Sequence, residues 1–423
     1  MATRLLSIAL PCFMLVAACS SSGSSPAQGS DGPDAASPAD DAGSDDGSTS
    51  LLAPPPAGQG MQITMSTTIA AGTEDEKCKF IQIADDMWVN HEDIRYTPGS
   101  HHFLVYQTPY TSIPTVNNDG KTVDTTQVFD CLGGPNVEWN VDQFVGGAQG
   151  ADAPPALNGL PPNVALHIPA GSVLMLDLHV LNPSTQALTP VVAMNFDTIP
   201  KSQVTEEAGG YFFYNPFIRI PPNSSSHARM SCPVTSNVTL TTMQTHMHKW
   251  GLGGVVNLED GSGNLVQQLY SSSVWTDPPV TVWAPTGMTL TAGQQIDYEC
   301  NYENTGDTDV IQGFSALTNE MCVVAGAYYP RDTKFENCST DGNWNDSGNA
   351  ATYIGSGTTT CADSLTCLEN AQTDDAFFGC MVDSCPGAAA ALTSVVDCFM
   401  SAGSSASTAC VTQGAQCIET SCN

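Results

Sequence analysis

The chain has 423 residues, with 43 acidic side chains against 11 basic ones and a formal net charge of −32 at pH 7. That length allows two or three domains of ordinary size. The charge excludes nucleic acid and anionic membrane surfaces as electrostatic partners, because both would repel the chain, and it suits a soluble, exported, monomeric protein.

The N-terminus reads as an address. Arg4 is followed by a short apolar run, Leu5 to Ala18, too short to span a bilayer and of the size of a signal-peptide core. The run closes on Val16-Ala17-Ala18-Cys19, which resembles the bacterial lipobox, in which the Cys is lipidated. Residues 1–19 are therefore expected to be a lipoprotein signal peptide, with Cys19 anchoring the mature protein to the bacterial cell envelope, at the outer membrane or cell surface. An ordinary signal peptide that happens to contain Cys19 is the alternative. Residues 20–58 contain no Lys, Arg, Glu or aromatic residue and are mostly Ser, Gly, Pro, Ala and Asp. Such a stretch buries too little apolar surface to offset chain entropy, and it is expected to be a disordered tether.

From residue 59 onward the pattern is β. Phe103 to Tyr106, Val173 to Val180 and Val238 to Thr242 are apolar or alternating runs. Turn signals such as Asn118-Asp119-Gly120 and Glu259-Asp260-Gly261 separate them, and no long stretch has helical periodicity. The fold class is mainly β. The length exceeds one sandwich, so the pattern predicts two β-sandwich (jelly-roll-like) domains side by side, residues 59–200 and 201–357, divided near Pro200.

Sixteen cysteines are present. Cys12 falls in the signal peptide, six lie in the body (Cys78, Cys131, Cys232, Cys300, Cys322, Cys338) and eight crowd the tail from Cys361 to Cys422. Even sets in an exported chain point to disulfides rather than a thiolate metal cluster, which would oxidise there. The tail contains no His, and its stretches rich in Ala, Leu and Val predict a small disulfide-rich helical module over residues 358–423.

Eight histidines are present, and composition alone would yield an adjacent pair, or a His-x-His, roughly 0.15 times each. Both occur, as His101-His102 and His246-x-His248. Residues two apart on a strand share a face, so His246 and His248 can chelate one metal, with Thr245 and Met247 turned away. A surface turn with solvated imidazoles is the alternative. His179 sits in an apolar strand where a lone histidine reads as a hydrogen-bonded core residue, and Met321 alone reads as core. His91, His167 and His227 read as structural or solvated.

Four segments taken together change that reading. Gly99-Ser100-His101-His102, Leu176-Asp177-Leu178-His179, Thr245-His246-Met247-His248 and Asn319-Glu320-Met321-Cys322 resemble, in order and separation, the copper type II ascorbate-dependent monooxygenases. This family includes the peptidylglycine α-hydroxylating monooxygenases and dopamine β-hydroxylases. The resemblance covers residues of about 60 to 350. It implies one copper on His101, His102 and His179 in the first domain, and a second on His246, His248 and Met321 in the second, with a solvent-filled cleft between them. It also implies the bridges Cys78–Cys131, Cys232–Cys338 and Cys300–Cys322. Thioether favours Cu(I) and imidazole serves Cu(I) and Cu(II), so His246, His248 and Met321 are the expected catalytic set, with O2 and a reductant as co-substrates. Asp177 shares a strand face with His179 and is a candidate for orienting it.

The chain departs from the family at the substrate. Where the peptidylglycine enzymes grip a carboxylate with Arg, Asn and Tyr, the matching positions are Gln244, Val323 and Ala325, and none supplies a guanidinium. The expected function is hydroxylation of an activated C–H bond in a small-molecule or peptide substrate, with a C-terminal glycine peptide disfavoured. The competing readings are a non-catalytic copper-binding or copper-handling lipoprotein, and a scaffolding lipoprotein whose tail is the interaction module.

Overall fold

The computed structural model describes residues 51–131, 134–150, 154–338, 351–402 and 408–422. The signal peptide, Cys19 and residues 20–50 of the tether lie outside the described residues. Residues 51–58, the end of the expected tether, lie along the first domain. The Leu52 carbonyl accepts from Gln62 Nε2 and the Ala53 carbonyl from Asn195 Nδ2.

The first domain is built from β1 (Gly60–Ser66), β2 (Thr73–Gln82), β3 (Met87–Tyr96), β4 (Ser100–Gln107), β5 (Phe129–Asp130), the short helix α1 (Pro135–Glu138), β6 (Gln143–Gln149), β7 (Val164–Ile168), β8 (Val173–Asn182) and β9 (Val191–Thr198). One sheet runs β1-β9-β3-β7 and the facing one β5-β2-β8-β4-β6. Period-2 alternation explains the packing. Phe103 and Val105 on β4 and Leu174, Leu176, Leu178 and Val180 on β8 fill the core between the sheets. The opposite face of the same strands packs Tyr106, Val173 and Met175 with Phe80, Phe129 and the fully buried Trp139. That outer face positions the site.

The second domain comprises β10 (Glu206–Tyr214), β11 (Arg219–Ile220), β12 (Ser224–Pro233), β13 (Val238–Leu240), β14 (Thr242–His246), β15 (Gly251–Glu259), β16 (Leu265–Ser272), β17 (Thr281–Val282), β18 (Met288–Leu290), β19 (Gln295–Asn304), β20 (Val310–Ile311), β21 (Val323–Tyr329), β22 (Asn337–Cys338) and β23 (Thr352–Ile354). The sheet β16-β15-β19-β12-β23 faces a sheet in which β21 pairs with β10, β13 and β14. The chain is thus mainly β, with two sandwiches.

The sandwiches are joined by a strand. Glu206 to Ala208 of β10 pair in parallel with Val164 to Leu166 of β7, and Gly209 to Tyr214 pair with β21, so one sheet is continuous across the junction. Gly210 is required there, because a Cβ would lie 2.3 Å from the Phe144 carbonyl oxygen of β6.

The tail forms helices α2 (Cys361–Asn370), α3 (Asp374–Val382), α4 (Ala389–Ala402) and α5 (Thr408–Ile418). Four bridges staple them: Cys361–Cys417, Cys367–Cys380, Cys385–Cys422 and Cys398–Cys410. Thr360 and Thr373 cap α2 and α3 by accepting from backbone amides three residues on. Leu365, Phe377, Met381, Leu392 and Val396 share one hydrophobic core with the second domain, and Phe217 packs on Tyr353 and Phe377. The module is therefore an outgrowth of that core rather than a free-standing interaction unit. Among the described residues, no helix is long and apolar enough to cross a membrane.

Candidate copper centre

The candidate ligands of the first domain stand on paired strands. His102 of β4 lies opposite His179 of β8 in the ladder. On a regular strand the neighbour His101 would point to the opposite face. A β-bulge resolves this: Ser100 pairs with Val180 and His102 with His179, leaving His101 as the extra residue. Both side chains then reach the outer face, with ring centroids 5.2 Å apart and each 5.0–5.2 Å from His179. His102, Asp177, His179 and Glu76 all line this face.

The candidate ligands of the second domain stand where strands give way to turns. His246 ends β14 opposite Val323 of β21. Met321, Val323 and Ala325 line the pocket together with His246, while Cys322 and Val324 enter the core, as alternation requires. His248 lies past the strand end, and Met247 between the two is buried in the core. The Glu320 carboxylate accepts from the backbone amides of His248 (2.9 Å) and Trp250 (2.5 Å), and Tyr302 Oη donates to the Met321 carbonyl at 2.9 Å. The Cys300–Cys322 bridge ties the strand next to Met321 to β19. The bridges Cys78–Cys131 and Cys232–Cys338 are also formed.

The two sets converge. His101 lies 5.4 Å from His246 and 6.1 Å from His248 by ring centroid, His102 lies 5.3 Å from His246, and His179 lies 6.4 Å from His248. Ligand atoms of His101, His102 and His179 form one close group, and those of His101, His246 and His248 another, with His101 in both. The expected solvent-filled cleft between two separate sites is corrected by this geometry. The rings lie against one another across the junction that β10 spans.

Hydrogen bonds assign the ring nitrogens. A carbonyl or carboxylate oxygen only accepts, so the nitrogen facing it carries the proton. His248 Nδ1 donates to the Asn319 carbonyl (3.2 Å) and His179 Nε2 to Glu74 Oε1 (2.7 Å). Gln149 Nε2 donates to the Trp275 carbonyl at 2.8 Å, so its Oε1 accepts from His246 Nδ1 at 2.6 Å. What remains is a group of buried nitrogens with no partner among the described residues: His101 Nε2, His102 Nδ1, His246 Nε2 and His248 Nε2. A buried polar atom without a partner is costly, and several aimed into one space fit a metal. Burial, with the neighbouring imidazoles, pushes the His101 and His246 rings well below the usual histidine range and His248 down to about 3. Burial lowers His102 too, against the pull of Asp177, whose Oδ2 is 3.9 Å from His102 Nε2. All four are held neutral, the form that ligates copper.

The pocket beside the cluster is walled by Leu104, Tyr106, Phe144, Phe212, Tyr214, Phe314 and Val280. Gln244 lines it, with its Nε2 tied to the Pro278 carbonyl at 2.9 Å. Among the described residues no Lys or Arg lines it, whereas two buried acids do, Glu76 and Asp177, each with an unpartnered oxygen. Burial and the adjacent Asp177 raise the Glu76 carboxyl well above the usual range.

Glu74, Glu76, Gln149 and Glu320 were not singled out by sequence reasoning. Glu74 and Glu76 had a visible signal, acids at period 2 on the strand that carries Cys78, with Glu76 in register with His179. Gln149 and Glu320 had none. The remaining histidines stay apart from the cluster. His167 stacks on Trp88 at 4.1 Å and pairs with Asp86, His227 lies on β12 opposite Asn301, and His91 sits half-exposed on β3, in the other sheet of the first domain, near Asp93.

Residues 210–350 match the family described as copper type II ascorbate-dependent monooxygenase, C-terminal domain. The matched stretch contains His246, His248 and Met321, while His101, His102 and His179 precede it. No curated protein matches the chain. Among solved structures, PNGase F, a glycosylasparaginase from Flavobacterium meningosepticum, is similar over 63% of this chain and 94% of its own, at 8% identity and a TM-score of 0.27. The major capsid protein P2 from bacteriophage PM2 is similar over 63% and 97%, at 9% identity and a TM-score of 0.24. Likeness at that level carries no argument about function.

Proposed function

We propose that this protein is a copper-dependent monooxygenase that hydroxylates an activated C–H bond, using O2 and an external reductant such as ascorbate. The carrying observation is the set of four buried, unpartnered and neutral imidazole nitrogens beside an apolar pocket that Met321 also lines. His101, His102 and His179 would hold one copper, and His246, His248 and Met321 the other, with His101 in reach of both. Bound copper supplies O2 activation and one-electron transfer. One oxygen atom enters the C–H bond and the other leaves as water, with two electrons and two protons drawn from the reductant and solvent.

The chain's own residues do the rest. Glu74, Gln149 and the Asn319 carbonyl fix the tautomers of His179, His246 and His248. The aromatic wall excludes water and binds an apolar body. Glu76 and Asp177, with no facing cation in the lining, disfavour a carboxylate, so the substrate is an apolar molecule without one.

Metal analysis of the copper-loaded protein should give two coppers per chain, and the reduced form should consume O2 with apolar substrates. Met321→Ala should abolish that uptake while copper on His101, His102 and His179 persists. Copper bound without any substrate-dependent uptake would replace this reading with that of a copper-binding protein, and zinc alone would end both. The proposal includes export and lipid anchoring through Cys19. Palmitate labelling of the wild type but not of Cys19→Ala is expected, and equal labelling would end that part.

A further inference from the structure

The five histidines belong to two domains, yet their rings pack as one group. The ligand-bearing strands do not pair across the junction: β4 and β8 lie in one sheet and β14 in another. Two first-domain side chains do cross at the cluster, and each touches a ligand ring. Glu74 on β2 accepts from His179 Nε2 through Oε1 at 2.7 Å. The same carboxylate accepts from the second domain's Ala316 amide (2.6 Å, Oε1) and Ser315 hydroxyl (2.6 Å, Oε2). Gln149 on β6 accepts from His246 Nδ1 at 2.6 Å and donates to the Trp275 carbonyl at 2.8 Å.

The turn that Glu74 holds leads straight to the other ligands. Ser315 Oγ accepts from the amides of Leu317 and Thr318, closing the turn on itself. The Asn319 amide donates back to the Ser315 carbonyl, and the Asn319 carbonyl fixes His248 Nδ1. Glu320 then holds the His248 amide, and Met321 follows. An unbroken path of bonds therefore runs from His179 through Glu74 and the 315–319 turn to His248.

We infer that Glu74 and Gln149 are positioning residues that lock the second domain's ligand-bearing turns onto the first domain's histidines, so that the centre is assembled across the domain junction. The inference rests on the copper reading above for its purpose, and on the bonds alone for its geometry. Charge-assisted hydrogen bonds are the stronger kind, and a carboxylate serving three donors has no neutral equivalent: an amide at position 74 keeps one acceptor and adds a donor facing donors. Glu74→Gln thus frees the turn while preserving shape.

Two readouts test this. In copper-free protein, hydrogen–deuterium exchange at Ala316 should be about tenfold or more faster in Glu74→Gln than in wild type, as loss of a charge-assisted bond predicts, with the β8 and β19 amides unchanged. In copper(II)-loaded protein, wild type should give an electron paramagnetic resonance signal below its copper content, because close ions couple. Glu74→Gln and Gln149→Ala should each recover signal toward the full copper content. Ser315→Ala, which leaves the Glu74–His179 pair intact, should give an intermediate recovery and serves if Glu74→Gln unfolds. Unchanged exchange in Glu74→Gln overturns the lock, whether or not copper binds. A full signal in wild-type protein holding two coppers overturns the single centre. Failure of all forms to bind copper overturns the functional reading and leaves the exchange result to judge the lock.

Discussion

The two domains place the candidate metal ligands by different means. In the first, His102 and His179 face each other across a ladder of paired strands, and His101 is aimed by a bulge in the same ladder. Sheet register sets their geometry before any metal arrives. In the second, His246 ends a strand, His248 sits in the turn beyond, and Met321 precedes β21. Side-chain bonds, one bridge and contacts from the first domain hold them. A ladder resists distortion cooperatively, whereas a turn held by a few polar bonds opens at lower cost. The contrast assigns rigidity to one set of ligands and adjustability to the other.

The sharpest way to break this comparison is His101→Ala, because among the described residues His101 alone belongs to both histidine groups. Metal analysis after dialysis should show most copper lost from His101→Ala and about one copper kept by His248→Ala, whose site is only the second. Equal losses would mean that the sets do not share a ligand.

Removing bridges comes next. The Cys300–Cys322 loop closes 22 residues and the Cys78–Cys131 loop 53. Chain-entropy reasoning predicts losses of about 3 and about 4 kcal/mol for the paired Ser variants in denaturant unfolding. The smaller loss should nevertheless alter the copper spectrum more, because Cys322 adjoins Met321. If the Cys78/Cys131 pair changes the spectrum more, the first domain is not the rigid partner.

A third effect is smaller and depends on pH. Glu92 is fully buried in the first domain, and its Oε2 accepts from the Leu157 amide at 3.2 Å. Its Oε1 lies against Gly146, where a Cβ would approach to 1.9 Å. Burial pushes the carboxyl well above the usual carboxylate range. The folded protein then holds the proton more tightly than the unfolded chain. Stability is full below the ordinary carboxylate pKa of about 4.3 and falls as pH rises toward the folded value. Glu92→Gln, which cannot ionise, should match wild type near pH 4 and gain Tm over it as pH rises. A Tm difference independent of pH would refute this.

The smallest effect belongs to Gln244→Ala. It removes one bond to the Pro278 carbonyl and should cost about 1 kcal/mol in denaturant unfolding. A much larger cost would show that the second domain's pocket wall is as rigid as the first domain's.

Much of this molecule was legible in the sequence. Period-2 runs gave the strands, even cysteine counts pointed to bridges, and family resemblance marked the histidines that the structure brings together and the three body disulfides that it contains. What stayed hidden is physically different in kind. Alternation alone forbids His101 and His102 from sharing a face, and nothing in Gly99-Ser100-His101-His102 announces an extra residue in the ladder. The closeness of the two sets depends on β7–β10 pairing, which joins Glu206 to Val164, and on Glu74 and Gln149, whose partners across the junction lie more than 90 positions away in the chain. The tail's helices were readable from composition, but its shared core with the second domain was not, because the same apolar residues would serve a free module.

The bulge at His101 carries a consequence for how this site can be gained or lost. A substitution removes one imidazole and spares the rest. Deleting a single residue between Gly99 and Phe103 would restore regular pleating and swing one ring into the core, even if every histidine remained. At this point in the chain, spacing is as much a ligand requirement as identity. An alignment gap of one position among distant relatives would mark a lost centre as surely as a mutated histidine.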